Sequence, residues 1–192
     1  MDFRTLTVDQ LPSHFETTLA DVRTTFAPLD IRQLNWRTDD NSWSVAQCLE
    51  HLINANREMC GAITKAADAS HPRTAWQRVP LMPKVFGRAL VTSLTPTSAR
   101  KFNAPQRSHP SASEIDSRVI DRFAAAQRDV STLLRSLAGR DLGRLIMVSP
   151  FIRFVTYSVL DGFRIIAVHE RRHFEQARRV VAAPGFPTRE IR

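Results

Sequence analysis

Ser44-Val-Ala-Gln47 runs directly into Cys48-Leu-Glu-His-Leu-Ile53, and the reading of this stretch decides how the chain is built. A serine followed three residues later by glutamine is a capping box: each side chain satisfies the other residue's backbone N–H at a helix start. A helix therefore opens at Ser44 and is predicted to run to about Ala69, before His71-Pro72. Upstream, Val8, Leu11, Phe15, Leu19, Val22 and Phe26 recur at spacings of three and four, which predicts a helix from about Thr7 to Leu29 with Pro12 in its first turn. Asn35 to Trp43 reads as a polar loop. Downstream, Ser111-Ala-Ser-Glu114 is a second capping box, predicting a third helix that ends near Ala138 before Gly139. Ser149-Pro150, a cap followed by proline at the first helical position, predicts a fourth helix reaching about Val181.

Between the second and third helices, residues 76–110 are punctuated by Pro80, Pro83, Pro96, Pro105 and Pro110, with room for a short helix over Lys84 to Leu94. A connection of this length inside one domain reads as a lid or binding loop, or else as a disordered link. Residues 182–192 read as a tail. No strand alternation and no solenoid repeat is expected. The economical architecture is all-α: one domain over 1–192, a four-helix bundle with a crossover connection and a proline-rich insertion.

Composition sets the bounds. With 192 residues and 43% hydrophobic side chains, the chain can bury a full core without disulfides or a structural metal, so a metal found here is expected to be functional. No apolar run reaches the roughly 18 residues of a membrane span, and the first residues lack the pattern of a secretion signal, so a soluble, cytoplasmic protein is expected. Cys48 and Cys60 suit neither a redox pair nor a zinc knuckle and read as small buried apolar residues. The net charge of +8 invites a nucleic-acid reading, but the basic residues read as spread from Arg4 to Arg192 among carboxylates, and no aromatic-interleaved stripe appears. Nucleic acid is therefore not the expected partner.

Three of the six histidines carry the chemistry. His169 and His173 stand four apart on one helix face, so both imidazoles can reach one ion. His51 lies two turns into the second helix, where a bundle brings it against a facing helix. Three imidazoles and an open position describe a catalytic metal site better than a closed structural one. The competing expectation is ordinary: a histidine beside an apolar face is commonly a core residue with a satisfied hydrogen bond. His14, His71 and His109 are expected at the surface. His169-Glu170-Arg-Arg-His173 also spells the His-Glu-x-x-His of zinc peptidases, without a third histidine at short spacing downstream.

Asn41-Ser-Trp43-Ser44-Val-Ala-Gln-Cys-Leu49-Glu-His51-Leu52 resembles the Trp-Ser-x-x-x-x-Leu-x-His-Leu opening of helix two in the DinB-like family, helical bundles that include bacterial thiol-dependent transferases. His169-Glu-Arg-Arg-His173-Phe-Glu-Gln176 is similar to that family's closing His-x-x-x-His-x-x-Gln. The resemblance implies a bundle over nearly the whole chain, His51, His169 and His173 as ligands, and zinc, nickel or a similar divalent ion. It implies transfer of a low-molecular-weight thiol to an electrophile. A metal-dependent hydrolase and a non-catalytic metal-binding or assembly bundle are the alternatives. It further implies a homodimer, for which Phe151, Phe154 and Val155 offer apolar surface. Gln176 is a candidate to orient a ligand or bound water, Trp43 to wall the pocket mouth, and Arg171 or Arg172 to recognise a carboxylate-bearing thiol. Glu50 and Glu170 are about 100° from their histidine neighbours and are assigned no catalytic role.

Overall fold

Helix α1 (Leu11–Phe26) buries Leu11, Phe15, Val22 and Phe26, the stripe that the spacing predicts, with proline in its first turn. It begins four residues later than expected, because the Gln10 side chain accepts from the Thr7 backbone N–H and closes a turn there. The computed structural model describes residues 2–68, 82–96, 106–111, 114–152 and 154–188. A short helix, α2 (Ile31–Asn35), follows within the connection; the Asp30 and Gln33 side chains cap each other's backbone N–H groups. In α3 (Val45–Ala67) both bonds of the Ser44–Gln47 capping box form, each at 3.1 Å. The short helix of the insertion is present as α4 (Met82–Ser93); the expectations for 76–81 and 97–105 lie outside the described residues.

Two further helix starts differ from expectation. The third long helix, α5, spans Val119–Ser136 and does not open at Ser111. Ser111 instead donates its N–H to Glu50 and accepts from Gln47, which fastens the end of the insertion to α3. The last helix, α6, spans Val159–Val181, not Ser149 onward. Ser149-Pro150 lies in the turn of an antiparallel hairpin of β1 (Ile146–Val148) and β2 (Thr156–Ser158), in register Met147 opposite Tyr157. Ser149 accepts from the N–H groups of Phe151 and Ile152, so its cap-like chemistry serves the turn. The cap of α6 is Ser158, which accepts from Asp161 N–H. Residues 182–188 are no loose tail: Phe186 packs on Trp36, and Gln33 donates to the Pro187 carbonyl at 2.8 Å.

The protein is mostly helical. Its long helices form a bundle in which α3 packs on α5 and α6, and α1 packs on the same two from the opposite corner. The chain thus crosses between corners at α1–α3 and at α5–α6, the second time through the hairpin. One apolar cluster gathers Phe15, Met59, Ile63, Val130, Tyr157 and Phe163, and another gathers Phe26, Leu49, Leu52, Phe123 and Phe174. Between them lies a layer of buried polar side chains to which α1 contributes Thr18, α3 Asn56, α5 Gln127 and α6 Glu170.

Candidate metal centre

His51 and the pair His169 and His173 sit beside this polar layer, where α3 and α6 face each other. One ring nitrogen from each of the three lies within 4.8 Å of the others. His51 Nε2 is 3.1 Å from His169 Nε2, and ring centroids are 4.6 to 5.0 Å apart. His51 Nδ1 lies 2.6 Å from the Ser108 carbonyl, which accepts its proton and leaves the Nε2 lone pair turned to the cluster. Ser108 belongs to a short 3₁₀ turn (Gln106–Ser108) near the end of the insertion. No local pattern marks it, because its role lies in a backbone carbonyl brought 57 residues along the chain.

Electrostatics keep the three rings neutral. Burial pushes the His173 imidazole down to about 3, with His51, Arg172 and Arg179 adding to the effect and Gln176 opposing it. Burial also holds His169 well below its ordinary range, reinforced by His173 and His51, and lowers His51 against the opposing Ser108 bond. His173 Nδ1 is buried with no hydrogen-bond partner among the described residues. An orphaned imidazole nitrogen in a cluster of neutral nitrogen donors costs about 1–3 kcal/mol as it stands. Such donors suit zinc, nickel and neighbouring divalent ions, so the residues fit the implied group.

The flanking candidates separate clearly. Trp43 lies against the centre, with its ring 4.8 Å from His51 and stacked on His173 at 5.7 Å. Gln176 is near enough to His173 to favour its protonated form, against the effect of the two arginines. Arg172 donates to the Ser93 and Thr95 carbonyls at 3.4 and 3.2 Å, tying α6 to the end of α4. Arg171 is turned away, bonded to Asp21 at 2.6 Å and to Glu175 at 3.0 Å. Glu170 is fully buried, accepting from Asn56 at 2.7 Å and Gln127 at 2.9 Å, so it does not serve the cluster as the base of a peptidase. Burial pushes its carboxyl up to about 8. Glu50 binds Ser111 N–H and stands 3.7 Å from Arg122.

His109 is exposed, as expected, 6.1 Å from Trp43. His14 is a correction: it is half-buried, edge-on to Phe3 at 5.2 Å, because its first helical turn is covered by the N-terminal 3₁₀ turn (Phe3–Thr5). His71 lies outside the described residues. Cys48 is buried but Cys60 only partly so. Burial pushes both thiols up to about 12, which leaves neither a nucleophile at neutral pH.

Fold and site together define a helical bundle carrying a three-histidine candidate metal centre between two of its long helices. The model of the DinB superfamily matches residues 14–177, and the chain belongs to that superfamily. A comparison with curated proteins and one with solved structures gave no match. No helix among the described residues is long and apolar enough to cross a membrane.

Proposed function

We infer that the protein is a divalent-metal enzyme that transfers a low-molecular-weight thiol to an electrophilic substrate, with zinc or nickel held by His51, His169 and His173. The observation that carries this reading is the convergence of three neutral imidazoles, one with its tautomer set by the Ser108 carbonyl. A bound divalent ion would supply Lewis acidity, keeping a thiol ionised at neutral pH. The chain's own residues hold the ligand nitrogens deprotonated, and Trp43 covers one side of the cluster. The resemblance favours thiol over water as the nucleophile, and Glu170, the nearest candidate for a base that would assist water, is bound to Asn56 and Gln127. With both cysteines inert, the thiol comes from solution.

The test is consumption of a small thiol in the presence of a generic electrophile, with metal content measured on the same sample. Metal-dependent consumption that disappears with chelator supports the reading, and stoichiometric metal with no turnover overturns it in favour of a binding bundle. A homodimer belongs to the same reading, with exposed Phe154 and its neighbour Ile152 on the hairpin turn as its surface; Phe151 and Val155, also expected there, are partly buried against the core. Sedimentation as a monomer at micromolar concentration would remove it.

A further inference from the structure

Five side chains along one face of α3 meet the segment 106–111 at the end of the insertion. Gln47, Glu50, His51, Asn54 and Glu58 recur at spacings of three and four, which places them in one row down the helix. The segment runs along this row in the opposite direction. Arg107 stands 3.8 Å from Glu58, Asn54 donates to the His109 carbonyl at 3.3 Å, and the Ser108 carbonyl takes the His51 Nδ1 proton at 2.6 Å. At the end of the row Ser111 accepts from Gln47 at 3.1 Å through its carbonyl and donates its N–H to Glu50 at 2.6 Å. All but the Arg107–Glu58 pair engage the segment's backbone, so they fix the course of the chain rather than one side chain.

The tie to Ser108 is shielded from water: Ser108 is 1% and His51 2% exposed, so solvent does not compete for the bond. A neutral imidazole has one proton and one lone pair on its two nitrogens. With the proton held on Nδ1, the lone pair sits on Nε2, 3.1 Å from His169 Nε2 within the cluster. Lifting the segment removes the acceptor and frees the proton to move to Nε2, where it occupies the position an ion needs. The converse also holds: an ion on Nε2 withdraws electron density from the ring and makes the Nδ1–H a stronger donor to Ser108. Seating of the segment and binding of the ion therefore favour one another by the same factor, as linkage requires.

We propose that the segment 106–111 is a strap coupled to the metal centre. Glu50 and Asn54 are positioning residues that seat it, its Ser108 carbonyl sets His51 for the ion, and the bound ion holds it down. Gln47 adds a further tie but also caps α3, so Glu50 and Asn54 are the positions at which the strap can be loosened without unwinding the helix start. The proposal rests on the three-histidine metal centre of the functional reading and not on thiol transfer.

The test reads the His51 tautomer by imidazole-nitrogen NMR of the metal-free full chain, and zinc affinity by competition with a chromophoric chelator. The unaltered protein should hold His51 as the Nδ1–H tautomer. Glu50→Ala and Asn54→Ala should each mix the tautomers and weaken zinc binding about 10–100-fold, the usual consequence of losing an outer hydrogen-bond partner. Glu50→Gln keeps an acceptor for the Ser111 N–H and should restore both. Glu58→Gln, which removes only the solvent-exposed ion pair, should change neither. Zinc should also slow hydrogen exchange at the Ser111 amide of the unaltered chain by a factor of the same order, a measurement that stands even if a variant folds poorly. If these results hold but no thiol is consumed, thiol transfer falls and the strap stands. Zinc bound equally well by the unaltered and loosened proteins, with exchange at Ser111 unaffected, overturns the proposal and leaves the functional reading intact. A protein that binds no zinc overturns both.

Discussion

Each imidazole of the triad is supplied by a regular helix, so removing one leaves the other two in place with too few donors. His51→Ala should lower metal affinity by more than the about 10–100-fold that follows loss of an outer hydrogen-bond partner, measured by competition with a chromophoric chelator. The same change at exposed His109 should leave affinity unaltered. Acid should act on the apo protein through these rings. Unfolded histidine titrates near 6.5, whereas buried His173 stays neutral down to about 3, so unfolding takes up protons in that window. Stability is therefore expected to fall as pH drops from 6.5 toward 3. Glu170 acts in the opposite sense: raised from its ordinary 4.5 to about 8, it contributes stability below 4.5 that is lost as pH rises through 8. Glu170→Gln should flatten melting temperature across pH 5 to 9, and an unchanged alkaline decline would show that the buried carboxyl is not its source. The grouping of the three histidines was legible because four-residue spacing on a helix and a capped partner helix place them without tertiary information. Ser108, Asn56 and Gln127 were not, since their roles depend on what a distant segment brings against them.

At the scale of elements, caps explain most of what the chain reveals and most of what it conceals. The Ser44–Gln47 box forms as read because an apolar run follows at once. Ser111 and Ser149 carry the same local signal but spend their bonding on α3 and on the hairpin turn, while the true start of α6 is the less conspicuous Ser158–Asp161 pair. The hairpin escaped notice because three-residue strands leave no alternation long enough to read. Helix α4 is seated through a close approach: a Cβ added at Gly87 would clash with the Asp161 carboxylate, one oxygen of which accepts from Ser158 and the other from Arg164. Gly87→Ala should cost about 1–3 kcal/mol by overpacking, seen in a denaturant midpoint. It should also loosen the Arg172 contacts at the far end of α4, and a wild-type midpoint would show that α4 gives way freely.

For the molecule as a whole, two apolar clusters large enough to fold the bundle lie outside the metal centre. Chelation should therefore leave far-ultraviolet dichroism unchanged, while added metal should raise melting temperature in proportion to the logarithm of its free concentration. Loss of helix on chelation would make the ion structural. The polar layer between the clusters has a further consequence. Asn56 and Gln127 both donate to Glu170, joining three helices, and α6 cannot slide by one turn without carrying that carboxyl group away from both donors and toward an apolar cluster. Since apolar contacts alone tolerate such slippage, the layer works as an index mark, fixing the height at which His169 and His173 meet His51. A bundle with Asn56, Gln127 and Glu170 replaced by leucine or methionine should thus melt at least as high as the natural one and yet bind metal less tightly, its helices held as firmly but no longer in a single register.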